Sequence, residues 1–126
     1  MEENMKISDF LNRSLSLTMT SSNESDEYKE FAVAIFNILL GESFAYNNQI
    51  RENKGKEKLD SVPVVESLDE ESPYEEELNT AFIYGMAAKL LVADSNLKLG
   101  PVYQARYEDE LQSKTPATYE PVEDIW

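Results

Sequence analysis

The sequence contains no cysteine and no histidine. Without cysteine there are no disulfides, no thiolate metal ligands and no cysteine nucleophiles. Without histidine the chain lacks the commonest general base, the commonest metal ligand and the side chain that titrates near neutral pH. Glycine is also scarce, with four residues, and no glycine-rich phosphate-binding loop is present. We therefore expect a protein that is not an enzyme and that binds no cofactor.

Positive charge is scarce as well. The 126 residues include 11 Lys and Arg against 25 Asp and Glu, which gives a formal net charge of −14. A surface this acidic repels the phosphate backbone, so sequence-specific DNA binding is not expected. Three interpretations of the acidity stay open: it maintains solubility, it docks against a basic partner, or it lines a passage through which nucleic acid slides without sticking.

Long apolar runs are missing. The two longest, residues 31–40 and 81–93, are shorter than the roughly 20 residues that a membrane-spanning helix needs. Residues 1–4 are acidic and are not followed by an apolar stretch, so we expect no secretory signal. The sequence predicts a protein with no membrane partner that is made in the cytoplasm.

Apolar residues recur at helical spacing in four segments, which predicts an all-α fold, a small bundle of about four helices. The predicted helices cover residues 8–17, 26–47, 73–92 and 97–113. In the third, Ser72 is expected as the N-cap and Pro73 as the first helical residue. Because its body is apolar almost all round, this helix should be the buried central one. Gly85 inside it is expected to allow close helix packing.

Two non-helical segments complete the predicted organisation. A long connection, residues 50–72, joins the second and third helices, and connections of this length are usually functional or mobile. Residues 1–114 then form a helical domain, and residues 115–126 form an extended docking tail, because Pro116 and Pro121 exclude a helix there. Aromatic anchors in extended segments are a standard docking device.

Carboxylates are frequent, yet their spacing does not indicate a metal site. The adjacent acids at residues 75–77 point about 100° apart if they are helical, so they do not converge. Asp94 and Asn96 resemble the start of a calcium loop, but the required glycine and terminal glutamate are missing. We therefore expect no bound metal.

Several short motifs occur in an order that resembles the head–tail connector (adaptor, or head-completion) proteins of tailed bacteriophages. The motifs are Pro-Tyr-x-x-Glu-Leu at residues 73–78, Tyr-Gly-Met-Ala-Ala at 84–88, an aspartate-containing turn at 94–96 and Tyr-x-x-x-Tyr-x-x-x-Leu at 103–111. Residues 36–51 resemble the preceding helix of the same family, and residues 122–126 resemble its valine–aspartate–aromatic ending. The resemblance covers residues 32–126.

The resemblance implies a structural virion protein with a helical-bundle fold. Such proteins assemble, usually as twelve copies, into a ring under the portal once DNA has been packaged. The ring extends the DNA channel and offers a docking surface to a stopper or tail-completion protein. The implied partners are therefore further copies of the chain, the portal, the stopper or tail, and DNA that passes without sequence-specific binding. The implied location is the head–tail interface of the virion, after synthesis in the host bacterial cytoplasm.

On this interpretation three sets of residues form the candidate contacts. Portal docking is assigned to the tail residues Tyr119, Ile125 and Trp126. Subunit or channel contacts are assigned to Ile50, Arg51, Lys54, Lys56 and Lys58. Channel-facing acids are drawn from Glu66, Asp69, Glu70, Glu71 and Glu75, and outer solvent is the open alternative for them.

Two other functions compete with the connector. A free acidic regulator, such as an inhibitor that mimics DNA charge, would use the same carboxylates but would stay monomeric or dimeric. Its acids should form an outer face that is spaced like phosphates, whereas a connector should have apolar or mixed flanks between copies. The third interpretation is an enzyme that holds a metal with carboxylates alone, whose activity a chelator would abolish.

Overall fold

The computed structural model describes residues 4–18, 25–93, 96 and 98–114, with the side chains of residues 25–27 excepted. Within these residues the fold is all-α, as the sequence predicts, and contains no strand. Its helices, together with one 3₁₀ turn at Glu76–Leu78, are α1 (Ile7–Leu17), α2 (Ser25–Glu42), α3 (Phe44–Asn53), α4 (Asn79–Ala93) and α5 (Leu99–Lys114).

Five helices stand where the sequence predicts about four, because the second predicted helix is kinked at Ser43. The buried Ser43 hydroxyl donates to the Leu39 carbonyl at 2.7 Å. A bond of this kind to the preceding turn bends helices. Backbone hydrogen bonds continue through the kink, from Ser43 N–H to Leu39 and from Asn47 N–H to Ser43. The helix then runs on to Asn53, so residues 50–53 belong to α3 and not to the connection.

The predicted start of the third helix is wrong. Helix α4 begins at Asn79, and neither Ser72 nor Pro73 is helical. Tertiary hydrogen bonds hold the preceding residues out of the helix. The Tyr74 hydroxyl donates to the Leu40 carbonyl, and Tyr74 N–H donates to the Ser72 hydroxyl oxygen at 3.3 Å. These contacts override the local preference of a serine–proline pair for a helix start.

Helix α4 is the central helix, as its composition predicts, and it packs against α1, α2 and α5. Phe82 is fully buried on this helix. Its ring lies 6.2 Å from Phe10, 5.2 Å from Phe36 and 6.0 Å from Tyr74, measured between centroids. Burying a large apolar side chain contributes about 1.5–3 kcal/mol, so this aromatic group is a major source of stability.

Gly85 lets α2 and α5 approach α4 closely, as predicted. A Cβ at this position would lie 2.8 Å from Leu39 Cδ2 and 2.9 Å from Tyr107 Cδ1. The Tyr107 hydroxyl donates to Glu42 Oε1 at 2.8 Å. Burial, and then the bond to Glu42, raise the pKa of Tyr107, so the phenol keeps its proton.

Helices α2 and α4 run in parallel. Phe36 of α2 faces Phe82 of α4. Nearer the C-terminal ends of both helices, Glu42 of α2 accepts from Lys89 of α4 at 3.0 Å. Parallel helices require a return connection between the end of one and the start of the next, which explains the length of residues 54–75. None of the described helices is both long and apolar enough to cross a lipid bilayer.

Candidate functional site

The two ends of the connecting segment, residues 54–75, meet at one buried carboxylate. Glu75 is 7 % exposed and lies at the end of this segment. Its Oε1 is 2.9 Å from Lys54 Nζ and 2.8 Å from Lys56 Nζ, and its Oε2 is 3.0 Å from Arg51 Nη1. We call these four residues the Glu75 cluster. The cluster ties the end of α3 and the first residues of the segment to its last residue.

The electrostatics of the Glu75 cluster favour the charged forms. Burial by itself raises the pKa of Glu75, but hydrogen bonds from Lys56 and Lys54 more than offset it and hold the pKa at about 2. The same bond to Glu75 raises the pKa of Lys54. A buried carboxylate is costly unless cations and hydrogen bonds compensate it. The cations of the cluster are therefore a condition for burying Glu75.

Two asparagines bind the middle of the connecting segment in the same way. Leu59 N–H donates to Asn48 Oδ1 at 2.8 Å, and Asn48 Nδ2 donates to the Leu59 carbonyl at 3.2 Å. Asn37 forms the matching pair with Val65 at 2.8 and 3.0 Å. Each side-chain amide bonds both the N–H and the carbonyl of one residue, as a residue of a neighbouring strand would. The helix side chains thereby supply hydrogen-bond partners to the backbone of the segment. A third asparagine, Asn47, accepts from Glu75 N–H at 2.8 Å.

Asn4 and the first residue of α1 hold the last third of the connecting segment. Asn4 Nδ2 donates to the carbonyls of Ser72 and Tyr74 at 3.1 and 2.8 Å. The backbone N–H of Ile7 donates to the Glu70 carbonyl at 2.9 Å. Together with the asparagines of α2 and α3, these bonds fix the segment at several points along its length, so it is part of the folded body.

The five residues assigned to subunit or channel contacts largely make contacts within the chain. Ile50 is 3 % exposed and belongs to the core, which corrects its assignment as a contact residue. Arg51, Lys54 and Lys56 direct their charges at Glu75. The side chain of Lys58 lies on the surface, 3.4 Å from Glu52. Of the five, Lys58 is the most available to a partner.

The acids assigned to the channel divide into two groups. Glu66, Asp69, Glu70 and Glu71 are exposed on the connecting segment. Glu75 is buried and paired, so its assignment as a channel-facing acid is wrong. Glu70 accepts from Glu66 N–H at 2.7 Å, and Glu71 accepts from Asn4 N–H at 3.0 Å, so local bonds orient two of the exposed carboxylates.

Two predicted features lie outside the described residues. One is the tail, residues 115–126, with the portal-docking candidates Tyr119, Ile125 and Trp126. The other is most of the turn between α4 and α5, at residues 94, 95 and 97. The assignments made for them stay predictions.

The sequence reasoning missed the asparagines that hold the segment. Asparagine is unfavourable inside helices because its side chain competes for backbone hydrogen bonds. Asn37 interrupts the apolar run of α2, and Asn47 and Asn48 stand together in α3. The position of these asparagines among the apolar residues of a helix could have predicted their role, since a buried or half-buried asparagine in a helix indicates hydrogen bonds to another segment.

An open polar groove of about 330 Å³ lies between α3 and α5 and is lined by Tyr46, Tyr107 and Glu108 among others. In the part of the chain that the structure describes, no group of three or more acids is arranged to hold a metal ion. No protein family, curated protein or solved structure matches the chain.

Proposed function

We propose that this chain is a head–tail connector subunit of a tailed bacteriophage, which assembles into a ring under the portal. The order of short motifs between residues 73 and 111 resembles that family and suggests the proposal, and the fixed connecting segment is the structural observation that supports it. A ring subunit has to present defined surfaces to several neighbours at once. A long segment that is held by the Glu75 cluster and by four asparagines meets this need, because it keeps its shape before any partner binds.

The exposed acids of the segment fit a channel wall. Glu66, Asp69, Glu70 and Glu71 stand on a backbone that hydrogen bonds hold in place. A wall of like charge repels the phosphate backbone, so it allows DNA to pass without trapping it. The net charge of −14 extends this effect over the whole subunit.

The uncovered apolar side chains fit contacts between copies. Several large apolar residues on α2, the connecting segment, α4 and α5 are exposed, namely Phe31, Ile38, Val62, Val64, Val92, Leu99 and Val102. Grouped exposed apolar residues commonly mark an interaction site, and helical spacing groups Phe31 with Ile38 and Leu99 with Val102. The portal contact is assigned, as before, to the tail residues Tyr119, Ile125 and Trp126.

Imaging by negative-stain electron microscopy tests the proposal. Cognate portal rings are mixed with the full chain, and in parallel with a chain that ends at Lys114, the last residue of α5. The proposal expects added ring density at the narrow end of the portal with the full chain and none with the shortened chain.

The other outcomes separate the parts of the proposal. If both chains add density, the connector function stands and the tail is not the anchor. If neither chain binds the cognate portal, the connector proposal fails. The acidic-regulator alternative then takes its place, with the same exposed acids presented to a basic partner.

A further inference from the structure

Helix α2 carries an uncovered apolar face. Phe31 and Ile38 lie two turns apart, about 10 Å along the axis, and are 54 % and 51 % exposed. Ala34 and Gly41 lie on the same stripe and are exposed as well. We call these four residues the α2 face. None of these four residues has a charged side chain.

A second apolar face lies at the corner between α4 and α5. Val92, Leu99 and Val102 are 54 %, 44 % and 45 % exposed. Val92 packs at Gly100, since a Cβ on that glycine would lie 2.9 Å from Val92 Cγ2. Leu99 and Val102 are one helical turn apart on the same side of α5. We call these three valine and leucine residues the corner face.

Charges of opposite sign border the two faces. Lys98 directly precedes Leu99 of the corner face, and Arg106 follows Val102 by one turn, with its guanidinium 5.9 Å from the centroid of the Tyr84 ring. Glu30 borders the α2 face one turn before Ala34 and is exposed. None of these three charges forms an ion pair with another residue that the structure describes.

We infer that the α2 face of one copy docks on the corner face of the next copy, an inference that rests on the proposed ring. Charge complementarity selects this arrangement. Pairing either face with itself would gather bordering charges of one sign in the same interface, Glu30 from both copies in one case and Lys98 and Arg106 from both copies in the other. Pairing one face with the other brings the acid to the bases and covers both apolar surfaces. A contact between two different faces repeats from copy to copy and closes into a ring when the rotation allows it.

Disulfide cross-linking tests the inference, because the chain has no cysteine of its own. One full-length chain carries Ile38→Cys and a second carries Leu99→Cys. The two are mixed at high concentration under a mild oxidant, and each is also oxidised alone. The inference predicts covalent dimers in the mixture and few in either separate sample. A chain with both substitutions should give a ladder of higher species.

A matched control uses a surface site outside both faces. Ser113 is exposed near the end of α5. A chain with Ser113→Cys therefore takes the place of the Leu99→Cys chain in an otherwise identical mixture. This mixture should give several-fold fewer dimers. The inference is overturned if the Ile38→Cys chain cross-links with itself as well as it does in the mixture, or if the mixture does not exceed the Ser113→Cys control.

Charge reversal supplies a second, independent test. Glu30→Lys in the Ile38→Cys chain should reduce the cross-linked fraction about fivefold, because it places a lysine against Lys98 and Arg106. Lys98→Glu in the Leu99→Cys chain should restore it. Failure of the restoration, with both variants folded by circular dichroism, contradicts the inferred pairing. Portal imaging separates this result from the proposed function, since ring density without these cross-links would retain the connector and reject only these faces.

Discussion

Lys56 and Glu75 are 19 residues apart in the chain, and the Lys56 ammonium lies 2.8 Å from Glu75 Oε1. The contact closes most of the connecting segment into a loop whose ends meet at a buried carboxylate. Closing a loop costs chain entropy, so the contacts at its base must offset that cost. The Glu75 cluster is therefore where changes should have the largest effect on the segment.

Glu75→Gln should destabilise the protein by about 2–3 kcal/mol, because the amide keeps the shape of the side chain but not the charge that Lys56, Lys54 and Arg51 compensate. Urea unfolding measures the effect as a lower midpoint with an unchanged slope. Glu77→Gln is the matched control. Glu77 pairs with Lys54 at 3.1 Å but is 36 % exposed, so its loss should cost less than about 1 kcal/mol. Equal effects of the two substitutions would contradict a special role for Glu75.

The contribution of Glu75 should depend on pH in a defined direction. The folded state holds the pKa of Glu75 at about 2, below its ordinary value of 4.5. The unfolded state therefore binds the proton more readily, and the stabilisation is complete above pH 4.5 and is lost as the pH falls towards 2. The difference in unfolding free energy between the native chain and Glu75→Gln isolates this group from the other acids. A difference that stays constant from pH 6 to pH 2.5 would rule out the low pKa.

Asn37→Ala should cost about 1–2 kcal/mol, because it removes the two hydrogen bonds with the Val65 backbone and leaves part-buried groups without partners. Urea unfolding again gives the measurement. Asn12→Ala is the control on the exposed side of α1 and should change the free energy of unfolding by no more than about 0.5 kcal/mol. If Asn37→Ala behaves like Asn12→Ala, the side-chain bonds do not hold the segment.

Gly85→Ala and Gly41→Ala should have opposite effects on thermal stability. Alanine is about 1 kcal/mol better than glycine inside a helix. At Gly41 nothing lies within 4 Å of the added Cβ, so the chain should gain up to that amount. At Gly85 the Cβ would lie 2.9 Å from the buried ring of Tyr107, and the strain should outweigh the gain, for a net loss of about 1–2 kcal/mol. Stabilisation by both substitutions would show that α5 packs less closely on α4.

The helices were predictable where periodicity and burial agree. The apolar character of residues 81–91 predicts a central helix, and α4 is that helix, with Gly85 at its closest contact. The boundaries were less predictable because distant contacts decide them. Ser43 bends the second helix through a bond to its own preceding turn. Pro73 is kept out of α4 because its neighbour Tyr74 is bound to Leu40 in another helix.

The candidate site was predictable in composition but not in geometry. The basic residues from Arg51 to Lys58 and the acids from Glu66 to Glu71 are visible in the sequence, and all of them fall in the predicted connection, residues 50–72. Which acid is buried depends on the path of the chain, and that path is set by Asn48, Asn37 and Asn4, whose partners are backbone groups far along the sequence. A bond to a backbone group does not depend on the type of side chain at that residue, so the sequence does not reveal it. The sequence therefore could not predict that Glu75, among the acids assigned to the channel, is the buried one.

The central claim is that the connecting segment is a fixed part of the fold, and hydrogen exchange of assigned amides by NMR tests it most directly. The N–H groups of Leu59, Val65 and Glu75 donate to asparagine oxygens at 2.8 Å. The account predicts that these three amides exchange at least about a hundredfold more slowly than an unstructured peptide, because exchange requires the segment to open. Exposed Val64 should exchange faster than its neighbour Val65. Exchange of all three donors at the unstructured rate would contradict the account.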